Sequence, residues 1–220
     1  MSTRAVALLA LVSCVAESQN TTSPPDSVER QVRGATIVSN ESPAADLTVG
    51  DGFRYVGAQV VNLYGNADAE QHVFVKGAFG GPVTAFVWVQ FEHFLPTNAY
   101  TYDYKPTRTI DLGGLQFIYD TKSFSDYRVT STDPRSDGAA VAALLARHRL
   151  AFPARAARVR MFHLPTADRR TELMIIYGER ISAESKTPVG ADGVQLDSAD
   201  ARAARVFLEH VRRALTIHKH

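Results

Sequence analysis

The chain has 220 residues but only one cysteine, Cys14, so it can form no internal disulfide and a hydrophobic core must hold it together. Hydrophobic residues make up 45% of the sequence, which is ordinary for a globular domain. After the N-terminus, no segment has the roughly 18 continuous apolar residues that a membrane-spanning helix needs. Any membrane attachment must therefore be made through the N-terminus.

Sequence motifs of catalysis and cofactor binding are also lacking. There is no Gly-x-Ser-x-Gly elbow, and no helix is expected after the glycine-rich residues 77–81 to make them a phosphate loop. His72 and His93 are isolated, without the spacing of metal ligands. We therefore predict no cofactor and no metal. The net charge of +1 argues against nucleic acid as a partner.

The N-terminus contains a positively charged residue at Arg4, an apolar run over residues 5–12, and Ser13 directly before Cys14. Over these fourteen residues the chain resembles a bacterial lipoprotein. The resemblance implies that residues 1–13 are a signal peptide, that Cys14 is lipidated, and that palmitate-type acyl chains anchor the protein to a membrane of the bacterial cell envelope.

Two other interpretations of the N-terminus remain open. Cys14, Val15 and Ala16 also fit an ordinary secretory signal that is cut after Ala16, which would release a secreted or periplasmic protein. Alternatively, the cysteine is a buried residue on an apolar N-terminal helix, and the protein is cytosolic.

The domain organisation follows from composition. Residues 14–52 are rich in Ser, Thr and Pro and have little to bury, so we predict a lipid-anchored flexible tether, interrupted by a possible edge strand at 35–38. Residues 53–220 form a single globular domain in this prediction.

The fold class predicted for this domain is α+β, with a mostly antiparallel sheet of about six strands. Runs of Val, Ile, Tyr and Phe bounded by turn residues indicate the strands, and residues 173–177 are apolar enough to be central in the sheet. Helical spacing predicts two packed helices, at 136–149 and at 198–218, and the C-terminal one is expected to dominate.

The richest candidate site lies in the strand predicted at 84–95. Alternation places Trp88, Gln90 and Glu92 on one face of this strand and sends His93 to the other. The polar pair Gln90 and Glu92 either lines a wet cavity or meets water at a partly exposed strand end.

Three tyrosines follow at alternate positions, Tyr100, Tyr102 and Tyr104. A row of phenols can stack on a ligand and still form hydrogen bonds. Such a row is more often an amphipathic packing strip under a loop. We take Trp88, Gln90, Glu92 and the three tyrosines as the candidate ligand-binding residues.

These observations favour a non-enzymatic binding or envelope-maintenance module, whose partner is a small apolar ligand or another envelope protein. The alternative is an envelope hydrolase that uses Glu92 with Asp103 or His93. It requires two ionisable side chains that converge in one cleft.

The charge distribution is uneven along the chain. Residues 40–133 contain six basic and eleven acidic residues, whereas residues 134–170 contain eight arginines and two aspartates. The arginines of the second segment either face an anionic partner or lipid headgroups, or pair with the acidic first half. The low net charge favours internal pairing. The arginines in question are Arg147, Arg149, Arg155, Arg158 and Arg160.

Overall fold

The computed structural model describes residues 27–78, 80–105, 108–124, 133–181 and 198–220. The predicted signal peptide, Cys14 and the first third of the predicted tether, residues 14–26, lie outside these ranges. The described part contains eleven strands and two helices. Their bounds are β1 Gln31–Arg33, β2 Thr36–Ser39, β3 Ala45–Val49, β4 Phe53–Leu63, β5 Ala67–Lys76, β6 Ala85–Phe94, β7 Thr109–Leu112, β8 Leu115–Phe124, α1 Asp137–Arg147, β9 Ala156–His163, β10 Thr171–Arg180, α2 Ser198–Ala214 and β11 Leu215–Lys219.

The strands form two antiparallel sheets. A four-stranded sheet has the order β1-β2-β3-β11, and a seven-stranded sheet has the order β4-β5-β6-β10-β9-β8-β7. The α+β class and the antiparallel pairing are thus confirmed. The expected six strands and the dominance of the C-terminal helix are wrong, because sheet is the main element and eleven strands are present in the described part of the chain.

The N-terminal strands correct the predicted tether. Within residues 14–52, β1, β2 and β3 pair in sequence, and Ile37, Leu47 and Val49 are at most 2% exposed in the core. β2 matches the edge strand predicted at 35–38, whereas β1 and β3 were missed because each is only three to five residues long and turn residues such as Gly, Ser and Pro flank them. From β1 onward, the segment belongs to the globular domain.

The predicted C-terminal helix also ends early. α2 stops at Ala214, and the next five residues form β11, which pairs with β3. Leu215 and Ile217 are buried in this strand rather than on a helical stripe. Leu215 lies four residues after Val211, so the apolar spacing alone is compatible with a longer helix. Pairing with β3 makes residues 215–219 a strand rather than a continuation of the helix.

The seven-stranded sheet is covered on both faces. On one face it packs against α2 and the four-stranded sheet, with Phe74, Val89 and Ile175 in the core. On the other face it packs against α1, where Val141 and Leu145 contact the sheet. The central position predicted for residues 173–177 is correct, since β10 lies between β6 and β9.

Two local features fix the ends of elements. The helix predicted at 136–149 is capped by Ser136, whose hydroxyl accepts a hydrogen bond from the Ala139 amide. Gly113 and Gly114 form the turn of a hairpin between β7 and β8, and both have positive φ. A Cβ at Gly113 would lie 1.9 Å from the Ile217 carbonyl oxygen, so β11 packs too closely there for any side chain. None of the helices described here is long and apolar enough to cross a membrane.

Candidate functional sites

The alternation predicted for β6 places its side chains as expected. Gln90 and Glu92 lie on the face of the sheet that α1 covers, and His93 is exposed. Trp88 lies on the same face as Gln90, but it is 3% exposed and packs in the apolar cluster beneath α1. Trp88 is thus a core residue.

Glu92 faces a second buried carboxyl group, that of Glu172. The two residues lie opposite each other in the β6–β10 register, on the same face of the sheet. Tyr102 donates a hydrogen bond of 2.6 Å to Glu92 Oε1, and Gln90 donates one of 2.6 Å to Glu92 Oε2. Tyr104 donates to Glu172 Oε2. We call these five residues the carboxyl–tyrosine cluster.

Burial controls the protonation of this cluster. Burial, with a smaller contribution from the neighbouring Glu92, raises the pKa of Glu172 to about 8 although the hydrogen bond from Tyr104 opposes the shift. Burial likewise raises the pKa of Glu92, although the hydrogen bonds from Tyr102 and Gln90 oppose the shift. At neutral pH, Glu172 is therefore mostly uncharged, which lets two carboxyl groups share one side of the sheet.

Aromatic rings close the cluster from outside. The ring centroids of Phe94 and Tyr102 are 4.5 Å apart, those of Tyr102 and Tyr104 are 6.0 Å apart, and those of Tyr104 and Phe162 are 4.4 Å apart, all stacked. Because each ring covers the next, the faces of Tyr102 and Tyr104 are taken up by internal packing. Glu172 is 2% exposed, so a ligand cannot reach it without displacing the tyrosine segment.

Tyr100 differs from the other two tyrosines. It is 57% exposed and contacts Phe94 edge-on, at 5.9 Å between centroids. The arrangement as a whole matches the packing strip under a loop, with Tyr100 left at its outer end.

Neither of the two partners considered for a hydrolase, Asp103 and His93, converges on Glu92. Asp103 has a side chain that is 85% exposed and lies 3.4 Å from the Arg169 guanidinium. His93 points to the opposite face. The nearest acidic neighbour, Glu172, comes from a strand 80 residues later, and only the register of β6 against β10 could have identified it from the sequence.

An open groove lies at the other end of the same sheet face. Its volume is about 390 Å³, within the range of small-molecule sites. We call it the arginine-rimmed groove. The loop between β5 and β6, the connection from α1 to β9, and the end of β10 form its walls, with Gly81, Pro82, Val83, Arg149, Leu150, Ala151, Phe152, Pro153, Ala154 and Arg180 as lining residues.

The floor of the groove depends on Gly178. Phe86 is the cross-strand partner of Gly178 in the β6–β10 register, and its phenyl ring extends across the glycine. A Cβ at Gly178 would come within 2.2 Å of that ring. Phe152 packs on the same ring, with centroids 4.8 Å apart. The absence of a side chain at Gly178 thus leaves room for Phe86, which supports Phe152 of the groove wall through an edge-to-face contact.

Arg149 reaches the groove from an unusual backbone position. It has φ +58° immediately after α1, where the amides of Arg149 and Leu150 donate to the carbonyls of Ala146 and Leu145. This is the Schellman arrangement, whose left-handed residue is usually glycine. An arginine in that conformation carries backbone strain, and such strain is typically retained where a side chain has a function.

The other arginines of the basic segment are engaged inside the protein. Arg160 lies 2.7 Å from Asp120, and Arg147 donates a 2.8 Å hydrogen bond to Gln59. Arg155 and Arg158 also have interaction partners. Arg160 thus pairs with an aspartate of the acidic first half, as the sequence favoured, whereas Arg147 contacts a neutral amide and Arg149 lines the groove.

Comparison with protein-family models, with curated proteins and with solved structures finds no match to this chain. The chemistry of the groove and of the cluster is therefore the basis for inferring a function.

Proposed function

We propose that this protein is a non-enzymatic binding module of the bacterial cell envelope, exported and held to a membrane by a lipid on Cys14. Its ligand is a small amphipathic anion, which binds in the arginine-rimmed groove. The observation that carries this proposal is the composition of the groove lining: an apolar wall flanked by two arginines, with no carboxylate among the described residues that line it.

The two parts of the lining suit the two parts of such a ligand. Val83, Leu150 and Phe152 provide apolar surface for a hydrocarbon body. Arg149 and Arg180 provide planar guanidinium groups, which bind carboxylate or phosphate headgroups through paired hydrogen bonds. An uncharged hydrocarbon alone would not use the arginines, so a headgroup of negative charge is the better match.

Binding of dodecanoate to the mature chain, measured by calorimetry, tests the proposal. We expect dodecanoate and dodecyl phosphate to bind and the neutral dodecanol to bind at least about tenfold more weakly, because dodecanol cannot pair with guanidinium. Arg149→Gln should weaken dodecanoate binding by about tenfold, whereas Arg205→Gln, an exposed arginine of α2, should not change it. Equal affinities for dodecanoate and dodecanol would contradict the proposal.

Arg149→Gly separates the role of the side chain from that of the backbone. Glycine removes the strain at φ +58°, so we expect the free energy of unfolding to rise by about 0.5–1 kcal/mol while dodecanoate binding weakens. Urea titration and calorimetry on the same variant give both quantities. A variant that gains stability and still binds as tightly as the wild type would show that Arg149 does not contact the ligand.

The anchor is tested separately, because its support is the residue order before Cys14. We expect Cys14→Ser to move the protein from the membrane fraction to the soluble fraction when it is expressed in a bacterium with a lipoprotein pathway. The intact mass of the wild-type mature chain should show a lipidated N-terminal cysteine. An unmodified chain that begins at Glu17 would show that the ordinary secretory signal is used.

A further inference from the structure

A second cavity lies on the opposite side of the seven-stranded sheet from the arginine-rimmed groove. It occupies about 250 Å³ between the last turns of α2, the end of β10 and the adjoining ends of β4 and β5. Six of its lining residues have polar or ionisable side chains, namely Asp51, Lys76, Tyr177, Glu179, His210 and Arg213. None of them was identified from the sequence as a candidate site residue, because they come from four separated segments.

A histidine in this cavity is held by a carboxylate. Nδ1 of His210 lies 3.1 Å from both oxygens of Glu179, and the Tyr177 hydroxyl donates a 2.8 Å hydrogen bond to Glu179 Oε2. Because an ionised carboxylate only accepts, Nδ1 carries the ring proton.

Two cations line the same space. The Lys76 side chain lies across Gly52, where a Cβ would come within 3.1 Å of Lys76 Cε, and its Nζ is 5.8 Å from the centroid of the Phe53 ring. Arg213 lines the cavity from α2. Within the described part of the chain, neither Lys76 nor Arg213 pairs with a carboxylate, whereas the charge of Glu179 is engaged by His210 and Tyr177. Asp51 contributes an exposed opposing charge.

From this arrangement we propose that the cavity binds a small free oxyanion, such as sulfate, phosphate or a short carboxylate, and that His210 takes up a proton when the anion binds. Lys76 and Arg213 supply permanent positive charge, and protonated His210 adds a third cation without leaving Glu179 unpaired. This site is independent of the proposed groove, since it lies on the other face of the sheet and needs no apolar ligand.

Sulfate is the probe of choice because its charge stays constant over the relevant pH range, so any pH dependence comes from the protein. We expect calorimetry to show sulfate binding about tenfold tighter near pH 5.5 than near pH 8, on either side of the ordinary histidine range. His210→Gln and Glu179→Gln should abolish that difference. Identical affinities of the wild type at both pH values, or no binding at about 10 mM sulfate, would overturn the proposal.

A matched pair of α2 variants tests the geometry. Arg213→Gln should weaken sulfate binding about tenfold, whereas Arg212→Gln should leave it unchanged, because Arg212 lies outside the cavity and pairs with Glu209. Asp51→Asn should tighten binding by removing the opposing charge. Equal effects of the two arginine variants would assign the binding to general surface charge. Dodecanoate binding should be unaffected by sulfate and by Arg213→Gln, so failure at this cavity is distinguishable from failure at the groove.

Discussion

Glu70 and Glu172 are both buried glutamates of the seven-stranded sheet, yet their surroundings favour opposite protonation states. Burial raises the pKa of Glu70, but its donors outweigh that effect and lower the pKa to about 2. These donors are the amides of Glu29 and Arg30, at 2.9 and 3.0 Å, with the Arg30 guanidinium and His72. Glu172 has Tyr104 as a donor and a second carboxyl group opposite it.

The two glutamates therefore change the stability of the fold in opposite directions as the pH rises. The stabilisation from Glu70 is present above the ordinary glutamate pKa and is lost as the pH falls toward 2. Glu172 keeps a proton in the folded state that the unfolded chain releases above about pH 4.5, so its contribution is lost as the pH rises through about 8. Around neutral pH, Glu70 contributes its stabilisation and Glu172 is already losing part of its own.

Glu172→Gln should therefore reduce the loss of stability between about pH 5 and pH 8. Glutamine stays neutral at both values, and we expect the wild type to lose roughly 2–4 kcal/mol more than the variant across this interval. Urea unfolding of both proteins at the two pH values gives the change in the free energy of unfolding for each. Subtracting one change from the other removes the effect of titrating groups that both proteins share. Glu209→Gln, at an exposed position on α2, is the control and should follow the wild type. The same pH slope in all three proteins would show that Glu172 ionises normally in the folded state.

At the scale of elements, most strands that the sequence predicted are long and rich in β-branched and aromatic residues. The hairpins β4–β5 and β9–β10 carry such runs with turn residues between them. The short β2 was predicted as an edge strand from its apolar residues alone. The strands that were missed are short or depend on a distant partner. β11 forms because β3 is available to pair with it, and β1 and β3 are too short to show a clear period of two.

The candidate sites show the same contrast between patterns within one strand and relations between distant segments. Alternation along β6 placed Gln90 and Glu92 on one face correctly, since it is a property of a single strand. The identity of the group facing Glu92 depends on how β10 is aligned with β6, and the His210–Glu179 pair depends on where α2 docks. Such relations between segments leave no spacing pattern in one sequence.

Truncation from the N-terminus tests the role of the first three strands. Removing residues 1–26 should leave cooperative unfolding intact, because the buried hydrophobic residues of the described chain begin only at Ile37. Removing residues 1–49 should abolish it, since Ile37, Leu47 and Val49 leave the core and β11 loses its partner. Denaturant titration of both truncated proteins gives the comparison. A chain of residues 50–220 that unfolds at the wild-type midpoint would show that the four-stranded sheet is an accessory layer.

At the scale of the whole molecule, the two cavities lie on opposite faces of one sheet. The arginine-rimmed groove lies on the α1 side and the His210 cavity on the α2 side, with β6 and β10 between them. β10 contributes to both, through Arg180 to the groove and through Tyr177 and Glu179 to the cavity. A central strand buried on both faces can thus hold two chemically different environments at a fixed distance from each other.

The pairing of β11 with β3 joins almost the two ends of the described chain, with Lys219 opposite Ala45. β3 precedes this partner by most of the described chain, so the small sheet can close only after residues 215–219 have been synthesised. Pairing over so long a separation is slow, because the entropy of loop closure must be overcome before the contacts form. We therefore expect β11 to dock late in folding.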